Sequence, residues 1–218
     1  MASRGDLIAR LMDPGIIAVV RAPRAELVPA VAAALVEGGV VAIEITLTTP
    51  DALSAIRATS RLLGSRVLVG VGTVLTPEAG REALAAGAEF VVSPICRPAL
   101  VAMAHAADKP VMIGAYTPTE AQLAHEAGAD FVKLFPADGL GATYVKALRA
   151  PLPHLRLVPT GGVDLDTIPK FIQAGCVAVG AGSALVSTGL LESEDWPQLT
   201  RLARQFVAAI EGARSIRP

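Results

Sequence analysis

The sequence is short of cysteine, of histidine and of charge of either sign, and each scarcity excludes a class of protein. Two cysteines without CxxC spacing, Cys96 and Cys176, cannot make a disulfide framework or a zinc site, so we expect both to be small buried residues. The formal net charge is -1, from 19 Lys and Arg against 20 Asp and Glu, so no nucleic-acid surface is predicted. The histidines lie on predicted helices or a loop, away from strand ends, so no metal site is predicted; they are His105, His125 and His154.

Targeting signals and long apolar helices are also missing from the sequence. Residues 1–6 do not lead into the continuous apolar core of a secretory signal, and we therefore expect a cytoplasmic protein. Residues 171–191 form an uncharged run that is long enough to span a membrane. Glycines and hydroxyl residues interrupt this run, which predicts a strand, a turn and a helix start rather than a membrane helix.

What the sequence does contain is a long alternation of β-branched runs with Ala- and Leu-rich helical segments. At 218 residues, with 52% hydrophobic and 18% charged residues, we expect a single domain over residues 1–218. The alternation predicts parallel strands joined by helical crossovers. Strands are predicted at residues 16–20, 41–45, 67–71, 90–92, 111–113, 131–134, 157–159 and 177–179, and helices at 25–36, 50–63, 77–86, 98–107 and 119–127.

An internal repeat indicates how many such units there are. A glycine that ends a helix precedes a buried strand at Gly39, Gly87, Gly128 and Gly175, at intervals of 48, 41 and 47 residues. Each interval is about twice one compact βα unit, so the sequence predicts an α/β fold, a single (β/α)₈ TIM barrel with N-terminal and C-terminal helices. An open doubly wound sheet is the alternative, although no Gly-x-Gly-x-x-Gly follows the first strand. Trp196 and a helix at 197–211 are expected to cap the barrel or to pack on its outer ring.

Two charged residues interrupt apolar strands at equivalent positions of this repeat. Glu44 and Lys133 each lie five residues after their glycine, on the second and sixth predicted strands. In an eight-stranded barrel these strands face each other across the axis, so the two side chains can converge near the mouth. Burial disfavours the charged form of an amine, and a neutral amine is a nucleophile. The alternative is a structural ion pair that plugs the barrel.

Glycine-rich segments follow the last two predicted strands. Pro159-Thr-Gly-Gly-Val163 and Gly180-Ala-Gly-Ser-Ala184 occupy the position that phosphate-binding barrels use, and the second segment is predicted to begin a helix. The backbone amides there and the Ser183 hydroxyl predict a site for phosphate or another anion. Hydroxyl groups at two further strand ends could hydrogen-bond a substrate, on Thr73 and Thr160.

These motifs together resemble the 2-keto-3-deoxy-6-phosphogluconate (KDPG) aldolase and 4-hydroxy-2-oxoglutarate aldolase family. The resemblance runs in order over nearly the whole chain. It implies a class I aldolase on a (β/α)₈ barrel, a homotrimer without a cofactor, in which a lysine forms a Schiff base with pyruvate. The motifs are Ile43-Glu-Ile-Thr-Leu47, Val69-Gly-Val-Gly-Thr-Val-Leu75, Phe131-Val-Lys-Leu-Phe-Pro136, Pro159-Thr-Gly-Gly162 and Gly182-Ser183.

Carried over to this chain, the resemblance assigns Lys133 as the Schiff-base nucleophile and Glu44 as the general acid and base. The keto-acid pocket would be lined by Thr73, Thr160 and Phe135. The distal phosphate would lie against Gly161, Gly162, Gly182 and Ser183.

The chain departs from the family at one position. Many members carry an arginine in a Leu-Arg-Thr segment after the second strand, where it binds the substrate carboxylate, whereas this chain reads Leu47-Thr-Thr49. Arg21, which ends the first strand, is the natural substitute because a guanidinium can bind a carboxylate through two parallel hydrogen bonds.

The expected reaction is the cleavage of KDPG to pyruvate and glyceraldehyde 3-phosphate. Cleavage of 4-hydroxy-2-oxoglutarate to pyruvate and glyoxylate is a possible second activity. The alternatives are an aldolase for the phosphogalactonate isomer, a phosphosugar isomerase or epimerase with Glu44 as its base, and a barrel that only binds a phosphorylated ligand.

Overall fold

Parallel strands alternate with helices along the whole chain in the computed structural model, which describes residues 2–215. The strands are β1 Ile16–Val20, β2 Ala42–Thr46, β3 Leu68–Gly72, β4 Phe90–Val92, β5 Val111–Ala115, β6 Phe131–Leu134, β7 Leu157–Pro159 and β8 Val179–Ala181. The helices are α1 Arg4–Met12, α2 Val28–Glu37, α3 Ala52–Leu63, α4 Pro77–Ala85, α5 Ala99–Ala106, α6 Pro118–Glu126, α7 Gly141–Arg149, α8 Ile168–Gln173, α9 Thr188–Ser193 and α10 Trp196–Ser215.

The eight strands form a nearly closed barrel. Neighbouring strands pair in the order β7-β6-β5-β4-β3-β2-β1-β8, and every pair is parallel. A parallel bridge between Thr160 and Gly180 joins the two ends of this sheet, and the Val177 amide donates to the Leu157 carbonyl at 3.1 Å. The predicted (β/α)₈ barrel with helices at both ends is therefore confirmed, and the open doubly wound sheet is excluded.

The prediction for the last strand is wrong by two residues at each end. β8 includes Gly180 and Ala181, which the sequence indicated as part of a loop. Glycine is needed here inside a strand because a Cβ on Gly180 would collide with the Thr160 hydroxyl, which packs against it. A glycine that makes room for a neighbouring side chain cannot be told from a turn glycine by sequence alone.

The apolar residues form two layers, one inside the barrel and one between the strands and the outer helices. Leu7 and Leu11 of α1 are buried in the inner layer, where they cluster with Phe90 and Phe131. Helix α1 thus closes the amino end of the barrel. The inner layer belongs to the half of the barrel below Glu44 and Lys133, which leaves the carboxyl ends of the strands to form the site.

The C-terminal helix lies on the outer ring, which is one of the two positions expected for it. Helix α10 packs against α2 and α8, and the Thr200 hydroxyl donates to the Ala34 carbonyl at 2.9 Å. None of the helices within residues 2–215 is long and apolar enough to cross a membrane. Cys176 is buried as predicted, whereas Cys96 is only half-buried.

Candidate active site

Glu44 and Lys133 meet inside the barrel, as the internal repeat predicts. Glu44 lies on β2 and Lys133 on β6, and four steps separate these strands in the barrel order, so the residues face each other. Their side chains point inward because Ala42 and Phe131, two residues earlier on each strand, belong to the inner apolar layer. The Lys133 Nζ atom lies 3.4 Å from Glu44 Oε1, and the residues are 4% and 2% exposed.

A glycine that sequence reasoning left without a role makes this meeting possible. Gly72, at the carboxyl end of β3, pairs with Thr46 on β2. A Cβ on Gly72 would collide with Glu44 Oε1 and would lie 2.6 Å from both Cγ and Cδ of the same side chain. Any side chain at this position would therefore displace the carboxylate. The sequence signal is the alternation Leu68-Val-Gly-Val-Gly72, in which both glycines face the barrel interior.

A cavity of about 320 Å³ opens beside this pair at the carboxyl end of the barrel. The Lys133 ammonium lies 5.2 Å from the centre of the Phe135 ring, and that ring forms part of the cavity wall. The structure brings seven of the predicted site residues into this wall: Arg21, Phe135, Thr160, Gly161, Gly162, Gly182 and Ser183. Lys133 and Glu44 are not themselves part of this wall, and the Phe135 ring connects the buried amine to a space of the size that a small phosphorylated acid needs.

The backbone of Gly161 and Gly162 supplies one side of the cavity. Both residues have positive φ, +91° and +66°, which glycine adopts without steric cost. A Cβ on Gly162 would also lie only 2.5 Å from the Asp138 Cβ atom. A turn of this shape presents backbone rather than side chains to the cavity, as anion-binding loops do.

Gly182 and Ser183, which follow the neighbouring strand β8, supply another part of the wall, and here the predicted helix start is wrong. After β8 the chain makes a single turn, in which the amides of Leu185 and Val186 donate to the Gly182 carbonyl at 2.9 and 2.8 Å. Helix α9 begins only at Thr188. Thr188 reaches the cavity wall, but a six-residue helix that begins five residues after Ser183 gives little dipole there, so an anion at Ser183 would depend on the local backbone amides and the Ser183 hydroxyl.

An acidic residue also borders the cavity, but donors from its own loop occupy its carboxylate. Asp164 Oδ1 accepts hydrogen bonds from the Thr167 hydroxyl and amide, both at 2.8 Å, and from the Asp166 amide at 3.1 Å. The hydrogen bond from the Thr167 side chain is the largest cause that lowers the pKa of Asp164 below its usual value. Asp164 therefore stays ionised, and its Oδ1 is engaged by its own loop.

Thr73 does not join the cavity wall within the described part of the chain. It follows β3, is half-buried, and has φ of +62°, in the left-handed region that non-glycine residues seldom occupy. Strained backbone of this kind clusters at functional sites. Its predicted contact with a keto acid stays a prediction.

The histidines lie at the other end of the barrel from Lys133. His105 Nε2 is 3.0 Å from Asp130 Oδ2, just before β6, and the rings of His125 and His154 are 4.5 Å apart. Residues 2–215 contain no group of three or more His, Cys, Asp or Glu side chains that could hold a metal ion.

Comparison with known proteins gives consistent results. A Treponema pallidum (strain Nichols) protein named 2-dehydro-3-deoxy-phosphogluconate aldolase is 38% identical over 196 residues, covering 89% of this chain and 93% of its own length. A Rhizobium meliloti (strain 1021) protein named "Probable 2-dehydro-3-deoxy-6-phosphogalactonate aldolase" is 36% identical over 180 residues, covering 82% and 85%.

A solved structure of a Legionella pneumophila KDPG aldolase superposes with a TM-score of 0.84 at 27% identity, covering 93% of this chain and 97% of the other. That crystal structure contains pyruvate captured as a covalent carbinolamine intermediate. The family model for KDPG and KHG aldolases matches residues 7–202, which include every predicted site residue. By its barrel, its inward-facing lysine and glutamate and this match, the chain belongs to the KDPG and KHG aldolase family.

Proposed function

We propose that this protein is a class I aldolase that cleaves KDPG to pyruvate and glyceraldehyde 3-phosphate. The observation that carries the proposal is the buried 3.4 Å contact between Lys133 Nζ and Glu44 Oε1 beside the cavity. A buried lysine with a purely structural role needs only an oppositely charged partner such as Glu44. This lysine also adjoins a space that a substrate can enter.

In the first stage the Lys133 amine forms a Schiff base with the substrate. Glu44 accepts the proton that the ammonium must lose, and the free amine adds to the C2 ketone to give a carbinolamine. The carbinolamine hydroxyl takes up a proton and leaves as water. The product is a protonated imine, which can accept an electron pair.

In the second stage the C3–C4 bond breaks. Glu44 takes the proton of the C4 hydroxyl, the C4–O bond becomes the aldehyde carbonyl, and the C3–C4 electron pair moves toward the imine nitrogen to form an enamine. Glu44 then returns a proton to C3, and water hydrolyses the resulting imine to pyruvate and free Lys133. A single carboxylate can serve both proton transfers because it lies within 3.4 Å of the amine on which the substrate is held.

The cavity wall supplies the groups that would hold the two ends of the substrate. Arg21 is the cationic side chain of the wall among the described residues and is the candidate partner of the keto-acid carboxylate. The loops at Gly161, Gly162, Gly182 and Ser183 would hold the phosphate. Thr160, which is buried, and Phe135 would line the part of the pocket nearest Lys133.

Borohydride trapping tests the lysine chemistry directly. Incubation with pyruvate and borohydride should add the mass of a reduced pyruvate adduct at Lys133, located by peptide mass spectrometry. Lys133→Met should give no adduct and no pyruvate release from KDPG. Lys146→Met, which removes an exposed lysine of α7, is the matched control and should retain both. A wild-type protein that gains no adduct would refute the proposal.

The second candidate substrate is the phosphogalactonate isomer, which is favoured by the name of the Rhizobium meliloti relative. The two substrates differ at one stereocentre. A coupled pyruvate-release assay on both isomers and on 4-hydroxy-2-oxoglutarate ranks them by kcat/KM. We expect KDPG to rank first, and a higher value for another acid would reassign the substrate but not the chemistry.

We further propose a homotrimeric, cytoplasmic protein. Apolar side chains are exposed just after three neighbouring strands, β3, β4 and β5, and they would be covered by another copy of the chain; they are Leu75, Ile95 and Tyr116. Phosphorylated sugar acids do not cross membranes freely, which places an enzyme that consumes them inside the cell.

A further inference from the structure

A chain of hydroxyl groups connects the first and second strands at the edge of the cavity. Arg21 Nε donates to Thr48 Oγ1 at 3.0 Å. Thr48 Oγ1 lies 2.9 Å from Thr46 Oγ1, and Thr46 Oγ1 donates to the Val20 carbonyl at 3.3 Å. The chain therefore starts on the Arg21 side chain and ends on the backbone of the residue before it.

The direction of every hydrogen bond in this chain is fixed by its two ends. The Nε–H group can only donate, and the Val20 carbonyl can only accept. Because the Thr46 hydroxyl donates its hydrogen bond to the Val20 carbonyl, it must accept the hydrogen bond from the Thr48 hydroxyl. The Thr48 proton is thereby used, which leaves a Thr48 lone pair for Arg21. Each hydroxyl donates once and accepts once in this chain.

This arrangement leaves the outer edge of the guanidinium available. Only Nε is engaged by Thr48, and none of the ion pairs within residues 2–215 includes Arg21. Arg21 nevertheless lies in the cavity wall, where it makes no ion pair with Asp164, whose Oδ1 accepts three hydrogen bonds from its own loop. A planar guanidinium with its Nε fixed and its terminal N–H groups free is oriented for a carboxylate.

We infer that Thr48, oriented by Thr46, is a positioning residue that aims Arg21 at the carboxylate of the keto acid. The inference rests on the proposed aldolase function and adds to it the residues that set affinity for the acid group. Thr48 occupies the segment where the sequence departs from its family, so the hydroxyl chain explains how one arginine is held in place at this edge of the cavity.

The test uses borohydride trapping at a series of ligand concentrations with full-length variants. Thr48→Val removes the hydroxyl at nearly constant shape. The pyruvate concentration that gives half-maximal adduct at Lys133 should rise roughly three- to tenfold, since the lost hydrogen bond is partly exposed to water, while the maximal adduct stays the same. Thr48→Ser should stay within about twofold of wild type because it keeps the hydroxyl. Thr46→Val should also raise the pyruvate concentration that gives half-maximal adduct.

Trapping with acetone instead of pyruvate tests whether Thr48→Val weakens carboxylate binding by Arg21 or damages the whole site. Acetone forms an imine with lysine by the same reaction but has no carboxylate for Arg21, so the acetone concentration that gives half-maximal adduct should not change in Thr48→Val. An equal shift for acetone and pyruvate would overturn the inference, as would an unchanged pyruvate value. A wild-type protein that traps neither ketone would overturn the aldolase function itself, a result that differs from both.

A neighbouring threonine provides the matched control for backbone anchoring. Thr49 Oγ1 accepts a hydrogen bond from the Ala22 amide at 3.2 Å and does not contact the guanidinium among the described bonds. Thr49→Val should therefore raise the half-maximal pyruvate concentration less than Thr48→Val does. An equal or larger shift would show that the loop, and not the side-chain bond to Arg21, is responsible. Thermal melting of each variant verifies that it is folded.

Discussion

Substitution of Gly72 by alanine should displace the Glu44 carboxylate without changing the residue, and so it tests whether the position of this carboxylate matters for activity. The added Cβ would collide with Glu44 Oε1 and lie 2.6 Å from Cγ and Cδ, whereas ordinary contacts begin at 3.4 Å. The glutamate must therefore retreat by about 0.8 Å or more, and a displacement of this order costs about 100-fold in rate when a catalytic group is involved. We expect kcat for KDPG cleavage to fall by about 100-fold although Lys133 and Glu44 are both present.

The same substitution should also cost stability, and two control glycines separate the effects. Overpacking a well-filled interior costs about 1–3 kcal/mol, which chemical denaturation measures. Gly70→Ala introduces a similar collision on the same strand, but with the Phe90 ring, so it should lose stability while keeping most of its kcat. Gly212→Ala, in helix α10, adds a Cβ that would meet nothing within 4 Å, so it should keep kcat and raise stability by up to about 1 kcal/mol because alanine favours the helix. If Gly72→Ala kept wild-type kcat, or Gly70→Ala lost as much activity, the steric explanation would be wrong.

Two further predictions concern the phosphate loops and the assembly. Ser183→Asp places a negative charge on the cavity wall and should raise KM for KDPG by roughly tenfold or more. The KM for 4-hydroxy-2-oxoglutarate, which has a carboxylate in place of the phosphate, should rise less, and an equal rise for both acids would argue against a phosphate site there. Ile95→Lys should convert the proposed trimer to monomers in native mass spectrometry because it places a charge in the apolar patch formed by Leu75, Ile95 and Tyr116. Leu62→Lys changes a more exposed residue, on α3, and should leave the trimer intact; dissociation by the control alone would contradict the proposed contact face.

The meeting of Glu44 and Lys133 could be predicted from the sequence because the barrel is built from a repeat. Equivalent positions in successive βα units stand at equivalent heights, so the shared spacing after Gly39 and Gly128 was enough to bring Glu44 and Lys133 to the same level. The order of eight strands follows from the alternation of apolar runs and helices. These features depend on periodicity, which a single sequence contains.

Contacts between a side chain of one strand and the backbone of another could not be predicted from the sequence. The need for glycine at positions 72 and 180 arises from Glu44 and Thr160 on other strands. The bond between Arg21 and Thr48 depends on the register that pairs β1 with β2. Thr73 lies outside the cavity wall of the described chain and has a left-handed backbone, which no local pattern indicates.

Leu7 and Leu11 of α1 close the amino end of the barrel, and this closure affects the order in which substrates and products can pass. With the amino end filled by apolar side chains, substrate, both products and the hydrolytic water must pass through the same opening at the carboxyl end. The aldehyde fragment occupies the outer part of this passage while pyruvate is still attached to the amine below it. Departure of the aldehyde must therefore precede entry of the water that frees pyruvate, and in the reverse, condensing direction pyruvate must enter first.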